Sequence, residues 1–165
     1  MGTARGARVV ALTSKNKSDL VRKAGARSVV HRDPDSLPAA IAQVAPDGLD
    51  AVADIVGGDT VAAALPTVRD GGRWVIAGAV GGSVITFDLR RLYLHNIRLI
   101  GSSMHTPAHF AQLAEVAALG TIRPRVAARY DLTDIHTAQS EFLKRTHVGK
   151  IVIIPPHTTR QEPAR

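Results

Sequence analysis

Short apolar segments alternate with amphipathic segments through the first half of the chain, and Gly, Asp and Pro separate them. Short apolar runs bounded by turn residues are typical of strands, whereas apolar residues recurring roughly every three to four positions are typical of helices. The pattern therefore predicts β-α-β units and a parallel sheet. The strands are predicted at residues 7–13, 28–31, 49–55 and 73–78, and the helices at 17–24, 37–44 and 60–68.

The strand sequence LDAVADI is apolar almost without interruption, which favours a strand covered on both faces of the sheet. The fourth strand follows Asp70-Gly71-Gly72, which predicts a turn at those three residues. Helices and strands in this order make up half or more of a doubly wound fold.

The pattern changes after residue 78. A short helix is predicted near residues 89–94, a strand at 97–102 and a helix ending near Leu119. We expect a domain at residues 1–120, followed at 121–154 by a strand, a helix and a strand. The polar, proline-bearing residues 155–165 predict a disordered tail.

Composition narrows the class of protein. The 165 residues are 45% hydrophobic but only 4% aromatic, and they include no cysteine, which excludes disulfides and thiolate metal sites. His105 and His109 are four residues apart, but His105 precedes the helix start, so we predict no metal site. No apolar run approaches the ~18 residues of a membrane helix. We therefore expect a cytoplasmic protein that does not enter a membrane.

The net charge of +7 is concentrated at the start of the chain. Residues 1–32 contain eight Lys and Arg and one acid, Asp19, whereas the remaining residues carry equal numbers of each sign. Such a patch attracts phosphate on a nucleotide, a nucleic acid or a membrane surface. The alternative is a basic helix face that is simply solvated.

Six segments in one order resemble the medium-chain dehydrogenase/reductase family, in particular its quinone-oxidoreductase-like and zinc-type alcohol dehydrogenase branches. They cover residues 6–154 and are GARVVALT…KAGA, DAVADIVGG, GGRWVIAGAVGG, LIGSS, YDLTDIHTAQSEF and GKIVI. The resemblance implies an α/β, doubly wound parallel sheet (Rossmann-like) that lacks its first strand and Gly-rich turn, with a C-terminal strand-helix-strand.

The same resemblance implies that the chain is a C-terminal portion. The family's catalytic domain, its zinc ligands and its phosphate-binding glycines are expected upstream of Met1. In the strand order 3-2-1-4-5-6, the first strand is central. The strands at 7–13 and 49–55 are therefore each expected to have an open edge, which lowers stability or favours pairing with another chain.

The resemblance also implies residues that bind the phosphates of NADP(H). Thr13 stands at the family's acidic position, and Lys17 stands where quinone-oxidoreductase-like members place a phosphate-binding Lys. Arg32 replaces a Tyr beside the same phosphate, and Ser14 can donate through its hydroxyl. Without an acid at Thr13, the 2′-phosphate of NADP(H) is favoured over the 2′-hydroxyl of NAD. Arg145 and Lys150 match further phosphate-side positions.

The nicotinamide half of the cofactor is expected at the carboxyl ends of the later strands. Three segments match the family there: Ile55 and Val56 as an apolar contact, Ala77, Gly78 and Ala79 as close backbone, and Ser102 and Ser103 beside the carboxamide. No catalytic residue is assigned, because the substrate side is expected in the missing part.

The function implied is the C-terminal cofactor-binding part of an NADPH-dependent oxidoreductase, inactive on its own. Intact members transfer hydride to or from quinones and enones or alcohols and aldehydes, and the zinc-free type is favoured here. A homodimer is expected through the edge strand at 97–102. The alternative is a non-enzymatic module that binds nucleic acid through its basic patch or a partner chain through an open edge. The few aromatic residues make nucleic acid the poorer candidate.

Overall fold

The computed structural model describes residues 2–33, 35–122 and 124–156. The chain divides into two compact units, Met1–Gln112 and Leu113–Arg165. This division lies inside a helix, eight residues before the end of the first domain expected from sequence. Residues 157–165, most of the expected tail, lie outside the described residues.

Strands and helices alternate along the first unit, as the hydrophobic pattern predicts. The strands are β1 (Val10–Thr13), β2 (Ser28–His31), β3 (Leu49–Asp54), β4 (Val68–Ile76), β5 (Arg98–Gly101), β6 (Val126–Asp131) and β7 (Lys150–Ile154). The α-helices are α1 (Ser18–Lys23), α2 (Leu37–Val44), α3 (Asp59–Ala64), α4 (Arg90–Tyr93), α5 (Pro107–Ala118) and α6 (Ile135–Leu143). Short 3-10 helices cover Thr3–Arg5, Lys15–Lys17, Leu65–Thr67 and Leu132–Asp134.

All strand pairs in the described residues are parallel, which confirms the predicted α/β class. The strands form three sheets, β1-β2, β3-β4-β5 and β6-β7. Within the described residues, β1 pairs only with β2, and β3 pairs only with β4. β1 and β3 therefore each keep one open edge, as the sequence predicts. The sheet of the first unit is interrupted between these two strands.

The chain turns at residues 70–72 as predicted, because a Cβ on Gly72 would lie 2.8 Å from the carbonyl oxygen of Arg69. The turn lies within β4, which begins at Val68, and does not precede the strand as expected. The pairing with β3 shifts register there: Leu49 lies opposite Val68, but Ala51 lies opposite Arg73. A bulge absorbs the extra residues of β4. Gly71 adopts a φ of 71° within it, and such a conformation suits glycine. Turn-forming residues thus mark a bulge rather than the start of the strand.

One face of the β3-β4-β5 sheet carries the core of the first unit. Val52, Trp74 and Leu99 are register partners on that face and pack with buried residues of α2 and α3. The opposite face carries Ala53, Val75 and Ile100, and there Ala53 is exposed and Ile100 is 39% exposed. The expectation that β3 is covered on both faces is therefore wrong. An apolar strand sequence did not distinguish one covered face from two.

The second unit contains the predicted strand-helix-strand. β6 and β7 are parallel, with Tyr130 opposite Ile153, and α6 packs beside them through the buried Ala138. Among the described residues, no helix has the length and apolar character that crossing a membrane requires.

Candidate functional site

The carboxyl ends of β3, β4 and β5 lie level with one another. Asp54 is the register partner of Ile76, and Ile76 is the register partner of Gly101. The N–H of Ala77 donates to the carbonyl of Asp54 at 2.7 Å, and the N–H of Ser102 donates to that of Ile76 at 2.8 Å. Since each strand ends here, the structure brings the three predicted nicotinamide-side segments to one edge, where open α/β sheets bind ligands.

The loops after β3 and β4 are joined by their glycines. The N–H of Gly58 donates to the carbonyl of Gly82 at 3.0 Å, and that of Gly81 donates to Val56 at 2.7 Å. Gly57 has a φ of 68°, and a Cβ on it would lie 2.6 Å from the carbonyl oxygen of Gly82. The two loops therefore form one rigid rim. The sequence pattern did not predict this pairing of Gly57-Gly58 with Gly81-Gly82.

Replacing Gly57 by Ala is expected to destabilise the protein more than replacing Gly71 by Ala. Both glycines have φ near 70°, but nothing lies within 4 Å of a Cβ at Gly71. Gly71→Ala therefore measures the backbone cost alone, about 1–2 kcal/mol. Gly57→Ala adds the clash with Gly82. Urea denaturation of both variants checks this, and equal losses of stability would show that the loops separate easily.

The rim is exposed where a ligand would approach. Ile55 is 63% exposed despite being apolar, and Ala77 and Ala79 are exposed as well. A Cβ on Gly78 would lie 2.9 Å from the carbonyl oxygen of Ile55, so glycine permits the two loops to approach. Ser102 and Ser103 are exposed after β5. The rim offers apolar side chains and backbone, and the two serines beside it offer hydroxyls. Together they form a surface suited to a flat heteroaromatic ring that carries an amide.

A second group of predicted residues follows β1 and β2. Thr13 is the register partner of His31, so Ser14 and Arg32 leave the sheet at the same edge. Thr13 is only 7% exposed and uncharged, and the hydroxyl of Ser14 lies 2.6 Å from Asn16 Oδ1. Lys17 ends the 3-10 helix after β1 and is half-buried. This edge is thus basic, with no acid at the position of Thr13.

Arg145 and Lys150, the two remaining predicted phosphate ligands, lie in the second unit. Arg145 follows α6 and has a φ of 54°. Lys150 begins β7, where its N–H donates to the carbonyl of Arg125 at 2.8 Å. The roles of Arg145 and Lys150 as phosphate ligands stay predictions.

A groove of about 430 Å³ lies beside the start of β4. Arg91 lines this groove and donates to the carbonyls of Pro66 and Val68, each at 2.7 Å. A hydrogen bond from Arg90 lowers the pKa of the Asp88 carboxyl at its rim. Ligands of open α/β sheets bind at the carboxyl edge, so this groove at the amino end of β4 is not the candidate cofactor site.

The candidate metal ligands of this chain are its His, Asp and Glu side chains, since it has no cysteine. The described part of the chain contains no group of three or more His, Cys, Asp or Glu side chains that could hold an ion. His105 and His109 are only two such residues, and Nδ1 of His109 faces the N–H of Thr106 at 3.5 Å at the start of α5. Within residues 2–33, 35–122 and 124–156, the side chains therefore do not fit a zinc centre.

Comparisons with known proteins agree with this layout. Quinone oxidoreductase-like protein 2 of Bos taurus is 27% identical over 155 residues, which cover 88% of this chain and 44% of that protein. The chain thus spans less than half the length of the curated relatives it matches.

Two solved structures share the fold at higher identity. A Sinorhizobium meliloti 1021 protein, provisionally assigned as an alcohol dehydrogenase, is 35% identical with a TM-score of 0.83, and the match covers 93% of this chain and 43% of that one. A mycobacterial quinone oxidoreductase is 28% identical with a TM-score of 0.81, and the match covers 93% and 51%.

The model of one family matches most of the chain, residues 1–118, and its description is zinc-binding dehydrogenase. This span contains β1 to β5 and both groups of candidate cofactor-binding residues in the first unit. The match agrees with the resemblance to medium-chain dehydrogenases/reductases that the motif order indicated. The chain belongs to the zinc-binding dehydrogenase family.

Proposed function

We propose that this chain binds NADP(H) as the cofactor-binding part of an NADPH-dependent oxidoreductase. The observation that supports the proposal most is the common edge formed after β3, β4 and β5, where Asp54, Ile76 and Gly101 end in register. The relatives' names, quinone oxidoreductase-like and alcohol dehydrogenase, favour hydride transfer to or from a carbonyl, an alcohol or a quinone.

The basic edge after β1 and β2 supports NADP(H) over NAD(H). Lys17 and Arg32 both follow strands that end level with each other, and a 2′-phosphate between two cations is stabilised electrostatically. Asp33 is the acid next to them in sequence, and its carboxylate accepts hydrogen bonds from Ser36 Oγ at 2.9 Å and Asp35 N–H at 3.3 Å. Thr13 offers no carboxylate to hold a 2′-hydroxyl.

The rim after β3 and β4 supports the nicotinamide half. When bound, the nicotinamide supplies a hydride donor or acceptor carbon. The chain's own residues orient the ring: Ile55 packs on it, the backbone around Gly78 approaches it and Ser102 and Ser103 bond the carboxamide. Zinc is assigned no part, because the described residues do not fit a zinc site.

We also propose that residues 1–165 bind dinucleotide without turning it over. The rim and the basic edge carry groups for the cofactor but no assigned proton donor for a substrate, and hydride transfer needs the reacting carbon oriented and water excluded. NADPH oxidation with quinones, enones and aldehydes should stay at the buffer rate. Turnover that Lys17→Glu abolishes would contradict this.

We further propose a homodimer through the strand β5. Among the described residues, β5 pairs only with β4, and large apolar side chains before it, including Leu89, Tyr93 and Leu94, are exposed. An unblunted edge beside exposed apolar side chains favours association with a second copy.

Gly101→Pro should convert this dimer to a monomer, whereas Gly101→Ala should leave it intact. Ser102 donates to Ile76, and donors alternate along a parallel strand, so the Gly101 N–H points away from β4. Proline removes that outward donor without breaking the β4-β5 pairing. Light scattering at micromolar concentration checks the masses, and a monomeric wild-type chain would refute the dimer.

The cytoplasmic location stays a prediction.

A further inference from the structure

A buried carboxylate lies directly beneath the rim. Asp54, the last residue of β3, is only 6% exposed. Its Oδ1 accepts the N–H of Val56 at 2.7 Å and that of Gly57 at 3.2 Å, and its Oδ2 accepts the indole N–H of Trp74 at 3.1 Å. Burial of a carboxylate is costly unless donors surround it, and here both oxygens have donors.

The donors connect the core to the candidate site. Trp74 lies on β4 and is 1% exposed, so the packed core holds its indole in place. The other two donors are backbone groups of the turn that presents Ile55. Asp54 therefore connects the packed core to the turn that carries Ile55. Through this connection the exposed Ile55 side chain is held in one orientation.

The neighbouring loop is held through the same turn. Val56 accepts the N–H of Gly81, and Gly58 donates to Gly82. Because Asp54 fixes Val56 and Gly57, a loosened carboxylate would also release the loop after β4. The adenine-side residues Lys17 and Arg32 follow β1 and β2, which form a separate sheet from β3, whereas Val56, Gly57 and Trp74 donate to Asp54.

We propose that Asp54 is a positioning residue for the nicotinamide half of the cofactor, acting through the turn at residues 55–58, with Trp74 fixing its carboxylate. This inference rests on the proposed binding of NADP(H), but it goes further, because it makes the two halves of the dinucleotide energetically separable. A carboxylate that only stabilised the fold would weaken both halves alike.

The test compares two ligands, NADPH and 2′,5′-ADP, which carries the adenine-side phosphate but no nicotinamide. Asp54→Asn keeps the size of the side chain but replaces one acceptor oxygen with an NH₂ group that faces an existing donor. Calorimetric titration should show NADPH affinity falling about tenfold, because binding must then order a turn that the hydrogen bonds of Asp54 hold in place in the wild type. Affinity for 2′,5′-ADP should change less than twofold.

Ile41→Val serves as the matched control, because it trims a buried core residue of α2, an element outside the rim, and should lower the melting temperature. It should change both affinities equally. Trp74→Phe, which removes the indole donor, should reproduce the pattern of Asp54→Asn. Hydrogen exchange at the amides of residues 56 and 57 should accelerate in both rim variants and not in the control.

The outcomes separate the two proposals. If the wild-type chain binds neither ligand, NADP(H) binding itself fails, and this inference fails with it. If the wild type binds both ligands, but Asp54→Asn lowers the two affinities equally or leaves both unchanged, the positioning role alone is overturned. Selective loss of NADPH affinity in Asp54→Asn and Trp74→Phe supports the role.

Discussion

Lys17→Glu should abolish the preference of this chain for 2′-phosphorylated nucleotides. We expect 2′,5′-ADP to bind the wild type more tightly than 5′-ADP, and the variant to lose at least tenfold in affinity for 2′,5′-ADP. A charge-assisted hydrogen bond contributes about 1.5–3 kcal/mol, and the new carboxylate repels the phosphate as well. Affinity for 5′-ADP, which lacks the 2′-phosphate, should change less than threefold. Calorimetric titration at fixed, low ionic strength measures all four constants.

Lys15→Glu is the control for this experiment. Lys15 begins the same 3-10 helix, is exposed and would undergo the same change in charge. A general electrostatic attraction would make the two variants equivalent, because both lower the net charge equally. A specific contact makes only Lys17→Glu selective for the 2′-phosphate. Equal losses in both variants would indicate a solvated basic patch, and the preference for NADP(H) would then have to be abandoned.

Adding salt provides a further check on the basic edge. Attraction between exposed charges is screened over about 10 Å at 0.1 M ionic strength, so wild-type affinity for 2′,5′-ADP should fall as salt is added. The slope should be shallower in Lys17→Glu, because fewer cations meet the phosphate. A slope unaffected by the substitution would place the phosphate elsewhere.

Local pattern and motif order were enough to predict most elements of this fold. β2 and α2 have the bounds expected from the apolar runs and turn residues. These elements are short, and their limits are marked by residues close in sequence. The open edges of β1 and β3 were also predicted, because the family's strand order leaves a gap between these two strands.

The features that sequence missed all depend on contacts between distant residues. The hydrogen bond between Asp54 and Trp74 spans 20 positions, and Gly57 meets Gly82 across two separate loops. The bulge in β4 arises from its register with Leu49 and Ala51 on β3. The hydrophobic pattern along the chain shows where the apolar side chains are, but it does not indicate which distant backbone groups will meet.

The residues of the candidate site also fall into those that the motif order predicted and one that it did not. The motif order selected Ile55, Ala77 and Ser102, and these follow strands that end in register. It did not select Asp54, although the residue lies one position before Ile55. In the sequence, a carboxylate at the end of an apolar strand cannot be told from a polar residue that simply ends the strand in solvent. The hydrogen bond to Trp74 on β4 identifies Asp54 as a buried residue with a partner.

Trp74→Ala should cause the largest loss of stability of any single substitution in the described core. Trp74 is the largest of the fully buried side chains, and truncating a buried aromatic residue to Ala costs about 3–5 kcal/mol. The same change removes one of the two donors to Oδ2 of the buried Asp54 carboxylate, which keeps the N–H of Gly57 at 3.3 Å. Loss of a hydrogen bond to a charged group adds about 1.5–3 kcal/mol. Domains are stable by only about 5–15 kcal/mol, so much of the chain should be unfolded at 37 °C.

Trp74→Phe separates the two contributions. It keeps an aromatic ring in the core but lacks the indole N–H, so its loss should lie near the smaller of the two costs. Circular dichroism during urea denaturation measures both variants, since Trp74 is the sole tryptophan and its fluorescence disappears in each. In an Asp54→Ala background the additional loss from Trp74→Phe should shrink, because the carboxylate that needed the donor is gone. An unchanged loss in that background would show that the hydrogen bond contributes nothing, and that packing alone explains why Trp74 occupies the centre of the sheet.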